Sequence, residues 1–233
     1  MIKVKFAMIG GTGVGSRLAE LPGAPLHVPT ERGIVRGRLC GETFVLQRHS
    51  VGHKTPPHKV AYEGFAFACA ELGVEACFST AAVGSMRPDW PAGTLAVPHD
   101  FVDLTFRQTT LFDWKVIHTD FSSPFPARDR LLVAAAQLNL PVQPSGIYVC
   151  GNGPRYETPH EIDLYGKIGD LVGMTAASEA IAMREAGVPY ACLCVVTNLA
   201  CGLSENPLSH EEVVDEMNRS GEKAVAILLG AAK

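Results

Sequence analysis

In the stretch DLVGMTAASEAIAMREAGVPYACLCVVTN, residues 170–198, two apolar runs flank a helical one. Asp170–Gly173 and Tyr190–Val196 read as buried strands, the second without a charge along its length. Between them, Ser178–Ala186 has helical spacing and stops at Gly187, the residue type that most readily takes the left-handed turn closing a helix. Strand, helix, strand is the repeating unit of an α/β sheet, and ligands in such sheets collect where strands end in loops. Asn198 follows the second strand and is a candidate for a site, whereas Met174 and Thr175, after the first, read on their own as a plain helix start capped by Thr175 or Ser178.

Working outward, Val4–Ile9, Thr43–Gln47, Ala76–Ser79, Thr94–Val97 and Ser145–Val149 read as further strands. Lys59–Leu72 and Ala127–Leu138 read as helices closed by Gly73 and Asn139. A last helix, from about Pro207 to Leu229, opens on Ser209-His210-Glu211-Glu212, a Ser-x-x-Glu capping box. The alternation predicts α/β layers around a mainly parallel or mixed sheet. The glycine turn Gly10–Gly13 follows the first strand, and Arg48-His49 follows the second. With 233 residues, 47% of them hydrophobic and 19% charged, and no linker or internal repeat, the chain predicts one domain spanning 1–233.

A net charge of −4 without a Lys/Arg cluster argues against a nucleic-acid surface, which needs a basic stripe to neutralise phosphates. The opening Met1–Ile9 is too short and punctuated for a secretory signal, and Ala186–Ser204, broken by Pro189, Thr197 and Asn198, reads as strand plus loop and not as a membrane span. Seven cysteines without a C-x-x-C pair predict reduced thiols in a cytoplasmic chain, with Cys192 and Cys194 on one face of a buried strand. No His or Cys partner at ligand spacing gives them a metal role.

Gly10-Gly11-Thr12-Gly13-Val14-Gly15-Ser16 exposes backbone N–H groups around a hydroxyl and suits an anion. A tight strand exit explains the same letters. A dinucleotide site fits less well, because Gly11 and Gly13 are followed by Ser16 where Gly-x-Gly-x-x-Gly requires glycine, although Glu31 lies near the distance expected of a ribose-binding acid. Arg48 and His49 would bring a guanidinium and an imidazole to that anion. Glu179, in the first turn of its helix, reads as a structural partner of the helix dipole.

In order along the chain, Gly10–Gly13, Arg48-His49, Gly151-Asn152-Gly153-Pro154-Arg155-Tyr156-Glu157-Thr158, Gly173-Met174-Thr175 with Ser178-Glu179, and Thr197-Asn198 resemble the trimeric purine nucleoside phosphorylase family. That family includes the methylthioadenosine and methylthioinosine phosphorylases. The resemblance covers nearly the whole chain and implies a single-domain, three-layer α/β/α fold with a central mixed sheet. It further implies reversible phosphorolysis, with inorganic phosphate as co-substrate and no metal or organic cofactor.

By the same resemblance, Thr12, Arg48, His49, the backbone N–H of Ala82 and Thr175 bind phosphate. Ala81 stands where relatives place Thr or Asn, so a side-chain bond is either missing or supplied by Thr80. Tyr156 lies against the base, Met174 packs under the sugar, and Asn198 and Glu157, with His49 at the phosphate, carry catalysis. His118 matches a loop that in relatives completes the neighbouring subunit's sugar site, which implies a homotrimer or a dimer of trimers. His210 aligns with a histidine that touches the 5′ hydroxyl in ordinary purine nucleoside phosphorylases.

A carboxylate only accepts hydrogen bonds, whereas a primary amide both donates and accepts. Glu157 therefore suits the N1–H of hypoxanthine or guanine while Asn198 serves N7 and O6. Adenine presents an acceptor at N1, a mismatch of roughly 1–3 kcal/mol when buried. Adenine-specific relatives place Asp at position 198 and a second Asp two residues on; here the residues are Asn198 and Ala200. The expected substrates are inosine and guanosine, with 5′-methylthioinosine or 5′-methylthioadenosine as alternatives. An NAD(P)-binding oxidoreductase and a non-catalytic nucleoside sensor are the rivals from other classes. His53, His58, Lys59, His99, Asp100 and Asp103 read as loop residues without chemistry.

Overall fold

The computed structural model describes residues 3–204 and 209–233. In chain order the elements are β1 (Phe6–Gly10), α1 (Val14–Ala19), β2 (Ala24–Thr30), β3 (Gly33–Cys40), β4 (Thr43–Gln47), α2 (Tyr62–Glu71), β5 (Ala76–Ser85), β6 (Leu95–Ala96), β7 (Asp100–Asp103), α3 (Arg128–Gln137), β8 (Ile147–Cys150), α4 (Pro159–Tyr165), β9 (Leu171–Gly173), α5 (Ala176–Glu185), β10 (Tyr190–Leu199) and α6 (His210–Ala231). The strands form one mixed sheet.

Side-chain alternation along the central strands divides the core into two layers, as a period of two requires. Ala7 and Ile9 of β1, Phe44 and Leu46 of β4, and Cys192 and Cys194 of β10 face the layer covered by α2 and α5. Phe6 and Met8, Val45, and Leu193 and Val195 face the opposite layer, covered by α1, α3 and α6. Helices on both faces of a mixed sheet make the three-layer α/β/α arrangement, and the two cysteines of β10 share a face as the sequence implied.

β5 organises the site. β10 runs parallel to it from Cys77 to Ser85 on one edge. The other edge is divided: β1 pairs in parallel with Ala76–Ser79, and β9 pairs antiparallel with Gly84 and Ser85. Thr80 to Val83 therefore border a gap between two strands, at the carboxyl end of β1.

Several boundaries differ from the sequence reading for identifiable reasons. The β2–β3 hairpin was not expected, because Pro25 and Pro29 interrupt its apolar pattern; β2 is an edge strand, where a missing N–H is tolerated. Glu31 belongs to the exposed turn of this hairpin, not to a nucleotide cleft. β5 continues through Thr80–Ser85, a run of small residues that reads as loop. β10 extends past Val196, with a bulge between Val196 and Asn198 that re-aims the strand beside the gap, so Asn198 lies within the strand and not after it. His99 precedes β7, which contains Asp100 and Asp103. The expected start of the last helix at Pro207 falls outside the described residues. Ser209 accepts from Glu212 N at 3.2 Å to cap that helix, while both halves of a capping box form at Thr158 and Glu161.

Candidate active site

The gap beside β5 opens into a cavity of about 530 Å³. Thr12, from the turn after β1, Arg48 and His49, after β4, Ala82 of β5, and Thr175, at the start of α5, all line it. The Arg48 side chain is only 1% exposed, and so is that of its partner Glu179. Arg48 Nε donates to Glu179 Oε1 at 2.6 Å, Nη2 to Glu179 Oε2 at 2.8 Å, and Nη1 to Thr80 O at 2.7 Å. Gly11 is required here: a Cβ at that position would collide with Arg48 Nη1 and lie 2.7 Å from Thr80 O. Burial works against the Arg48 charge, but Glu179 beside it favours the ionised form and leaves the guanidinium more firmly protonated than usual.

Thr80 is not among the residues that line the cavity. It is fully buried, and its hydroxyl accepts from Gly11 N at 3.2 Å, so it fixes the glycine turn. Along β5, Cys77 N donates toward β10 through Pro189 O, while Thr80 O faces the gap. Alternation in a parallel ladder then turns the N–H of Ala82, two residues beyond Thr80, toward the gap as well. The Thr175 side chain makes no cap bond to its own helix. Instead Tyr148 Oη accepts from Thr175 N at 3.2 Å and Ala176 N at 3.4 Å.

His49 donates from Nδ1 to Thr55 O at 2.8 Å, since a carbonyl only accepts. This fixes the tautomer and leaves Nε2 as the acceptor of a neutral ring. Burial first, then the Arg48 guanidinium, push the His49 pKa down to about 4, although the Thr55 bond pulls the other way. His53, which also lines the cavity, packs between His49 and His210 with ring centroids 4.5 and 5.7 Å away. Its own pKa is lowered by burial and then by His210.

Tyr156, Glu157, Asn198 and Ala200 line the same cavity. Thr197 Oγ1 donates to Asn198 Oδ1 at 2.7 Å, and Asn198 Nδ2 donates to Leu199 O at 2.7 Å. The carbonyl of Leu199 sets the amide's orientation, because the flipped form would place oxygen against oxygen. One N–H and one lone pair of the amide remain for a ligand. Glu157 makes no ion pair among the described residues; the adjacent Arg155 is held by Glu161 at 2.8 Å. Burial raises the Glu157 pKa above the ordinary carboxylate value, with its own backbone N–H partly opposing the shift. Met174 lies across from the Glu157 loop. Gly153, at φ 60°, lets that loop approach its sulfur, where a Cβ would collide.

Among the residues to which the family resemblance gives a phosphate or substrate role, His118 does not line this cavity within one chain; it is exposed, in the segment between β7 and α3. Three participants were missed. Glu179 does more than favour a helix dipole, an effect of about 0.3–1 kcal/mol that is small against the several kcal/mol needed to bury an unpaired ion. His53 belongs to the loop between β4 and α2, and no motif in the sequence marks it for the cavity. Arg107 had no motif to mark it, because its partners are distant in sequence. Its guanidinium donates to Asn152 Oδ1 at 3.2 Å, to Asn152 O, to Met174 O at 2.8 Å, and to Ser178 Oγ and Tyr62 Oη at 3.1 Å each. It thereby joins the Glu157 loop to the Met174 turn from behind. Among the described residues, no group of three or more His, Cys, Asp or Glu is placed to hold a metal ion, and no helix is long and apolar enough to cross a membrane.

A model of the phosphorylase superfamily matches residues 5–233. The chain is 40% identical over 231 residues to a probable 6-oxopurine nucleoside phosphorylase of Dictyoglomus turgidum, covering 94% of this chain and 88% of the relative. It is 38% identical over 245 residues to the 6-oxopurine nucleoside phosphorylase of Pyrococcus furiosus, covering 97% and 91%. A probable S-methyl-5′-thioinosine phosphorylase of Methanocaldococcus jannaschii is 35% identical over 224 residues, covering 95% and 89%. Among solved structures, methylthioadenosine phosphorylase from Schistosoma mansoni in complex with adenine is similar with a TM-score of 0.91 at 29% identity, covering 99% of this chain and 91% of that one.

Proposed function

Because this chain belongs to the phosphorylase superfamily, we propose that it is a purine nucleoside phosphorylase, a pentosyltransferase that cleaves inosine and guanosine with inorganic phosphate. The products are the free 6-oxopurine and ribose 1-phosphate. The observation that carries this reading is that Glu157 and Asn198 line the same cavity as Arg48, His49, Thr12 and Thr175. A purine edge and an anion thus have one room between them.

In this reading phosphate rests on Thr12, the Ala82 N–H, Thr175 and the unused N–H groups of Arg48. The Nε2 lone pair of His49 accepts a hydrogen bond from the O–H of monohydrogen phosphate, and that proton ends on the departing purine, which leaves as the neutral base. A phosphate oxygen forms the new bond to C1′ as the C1′–N9 bond breaks, and the electron pair leaves with the purine. Positive charge on the sugar is stabilised by the phosphate beneath it. Negative charge on the base is stabilised by the free Asn198 N–H, while Glu157 accepts N1–H and fixes the ring. Tyr156 covers the base and Met174 the sugar. These are positional and electrostatic effects, and no step calls for a metal or an organic cofactor.

The wall near His210 leaves the 5′ substituent as a choice between two readings. His210 offers a polar tip to a hydroxyl, whereas Val213, three residues along α6 and also lining the cavity, offers an apolar surface to a methylthio group. Relatives of both kinds match the chain, and we take the hydroxyl reading as primary. We assign the enzyme to cytoplasmic purine salvage and to a homotrimer or a dimer of trimers, in which His118 reaches the neighbouring subunit's sugar. Parallel phosphorolysis assays with inosine, 5′-methylthioinosine and 5′-methylthioadenosine test the function. Phosphate-dependent release of hypoxanthine is expected to dominate; faster cleavage of methylthioadenosine than of both 6-oxopurine nucleosides contradicts it.

A further inference from the structure

Arg48 has five N–H groups, and three of them are committed inside the protein, to the two oxygens of Glu179 and to Thr80 O. Two remain, one on each terminal nitrogen. Which way these two point is decided by the bidentate bond, because a planar guanidinium locked by a planar carboxylate has no freedom to rotate. Glu179 is itself held. Tyr190 Oη donates to Glu179 Oε2 at 2.7 Å, and since that uses the phenol's proton, Ser79 Oγ donates to Tyr190 Oη at 2.6 Å. The chain of bonds runs from β5 through β10 to α5 and ends on the arginine of the loop after β4, with every member buried.

We propose that Glu179 is a positioning residue for phosphate, with Tyr190 and Ser79 behind it, fixing Arg48 so that its two free N–H groups address the anion. The inference rests on the phosphorolytic reading of the cavity. Two roles for Glu179 predict opposite signs. As a mere counter-charge it would repel the incoming anion, and its removal would tighten phosphate binding. As a positioning group, its removal frees the guanidinium to turn, and phosphate binding weakens even though the site has become more positive. Glutamine distinguishes the two, since its NH₂ opposes an arginine donor with another donor and breaks the fork while removing the charge.

The test is steady-state kinetics of the full-length enzyme with phosphate and inosine varied independently, joined to calorimetric titration with inorganic phosphate alone. Glu179→Gln is expected to raise the KM for phosphate and the calorimetric Kd by about tenfold or more, with the KM for inosine held within about twofold. Tyr190→Phe, which leaves the ion pair but removes its brace, is expected to raise both phosphate constants by about threefold. An unchanged or lowered phosphate constant in Glu179→Gln overturns the proposal. If that variant does not fold, unchanged phosphate constants in Tyr190→Phe overturn it. A wild-type enzyme that binds phosphate but shows no phosphate-dependent turnover would sink the functional reading instead, and the calorimetric comparison would still decide the role of Glu179.

Discussion

At the proposed phosphate end of the cavity the protein neutralises its own charge, and at the proposed base end it does not. Arg48 is paired with Glu179 before any ligand arrives, so a guanidinium can stay ionised at 1% exposure. Glu157, by contrast, is half-buried without an ion-pair partner among the described residues, and that partial burial raises its pKa. In the proposed reading, the first end is organised in advance by the fold and the second is completed by its ligand. Asn198 lies between the extremes, with its amide anchored by Thr197 and Leu199 and one donor and one acceptor left over.

The largest expected effect follows from breaking the prepaid end. Arg48→Ala removes the main cation and strands a buried carboxylate. Phosphorolysis is expected to fall by about a thousandfold or more, and unfolding in denaturant to show a loss of about 3–5 kcal/mol. Retention of both properties would remove the asymmetry between the two ends. At the base end, Glu157→Gln loses a hydrogen bond to a charged acceptor of about 1.5–3 kcal/mol, hence about tenfold to a hundredfold in kcat/KM for inosine, with stability conserved. Because the reading needs the carboxylate, wild-type kcat/KM is expected to decline as pH falls through the raised Glu157 pKa, above the ordinary 4.5. That acid limb should vanish in the glutamine variant.

Asn198→Asp places a second acceptor on the base and is expected to move the ratio of adenosine to inosine cleavage upward by about tenfold; an unmoved ratio would deny Asn198 its part in recognition. Arg107→Met loosens the joint between the Glu157 loop and the Met174 turn. It is expected to raise the KM for inosine by about three- to tenfold while leaving that for phosphate in place. Equal changes in both constants would mean that the two ends are not separable. The smallest effect concerns stability. The folded-state pKa of His49 is depressed to about 4 from an ordinary 6.5. Its contribution is therefore complete above pH 6.5 and is lost as pH falls through the folded value, because the unfolded chain takes the proton more readily. Melting temperatures of His49→Asn are expected to fall less steeply than wild type across that window.

The difference between the two ends also governs what the sequence revealed. Tyr190–Val196 announced β10 because a charge-free run rich in valine and cysteine has few alternatives to burial. Asn198, Glu157 and Arg48 were legible as members of short motifs beside strand ends. The support behind them was not. Arg48 and Glu179 are 131 residues apart, and nothing local to Glu179 distinguishes a helix-dipole carboxylate from a buried ion-pair partner. Arg107 joins segments 45 to 71 residues away and belongs to no motif. His53 gained its place only when its loop folded against His210. The β2–β3 hairpin was hidden by prolines that an edge strand tolerates, and the extension of β5 by small residues whose pairing depends on β10.

The central claim is that a carboxylate and an amide read the edge of a 6-oxopurine. Calorimetric titration of the phosphate-loaded enzyme with hypoxanthine and with adenine measures this without catalysis. Hypoxanthine is expected to bind at least about tenfold more tightly, the equivalent of one mismatched buried polar pair. Adenine binding as tightly as hypoxanthine, or more so, would contradict it.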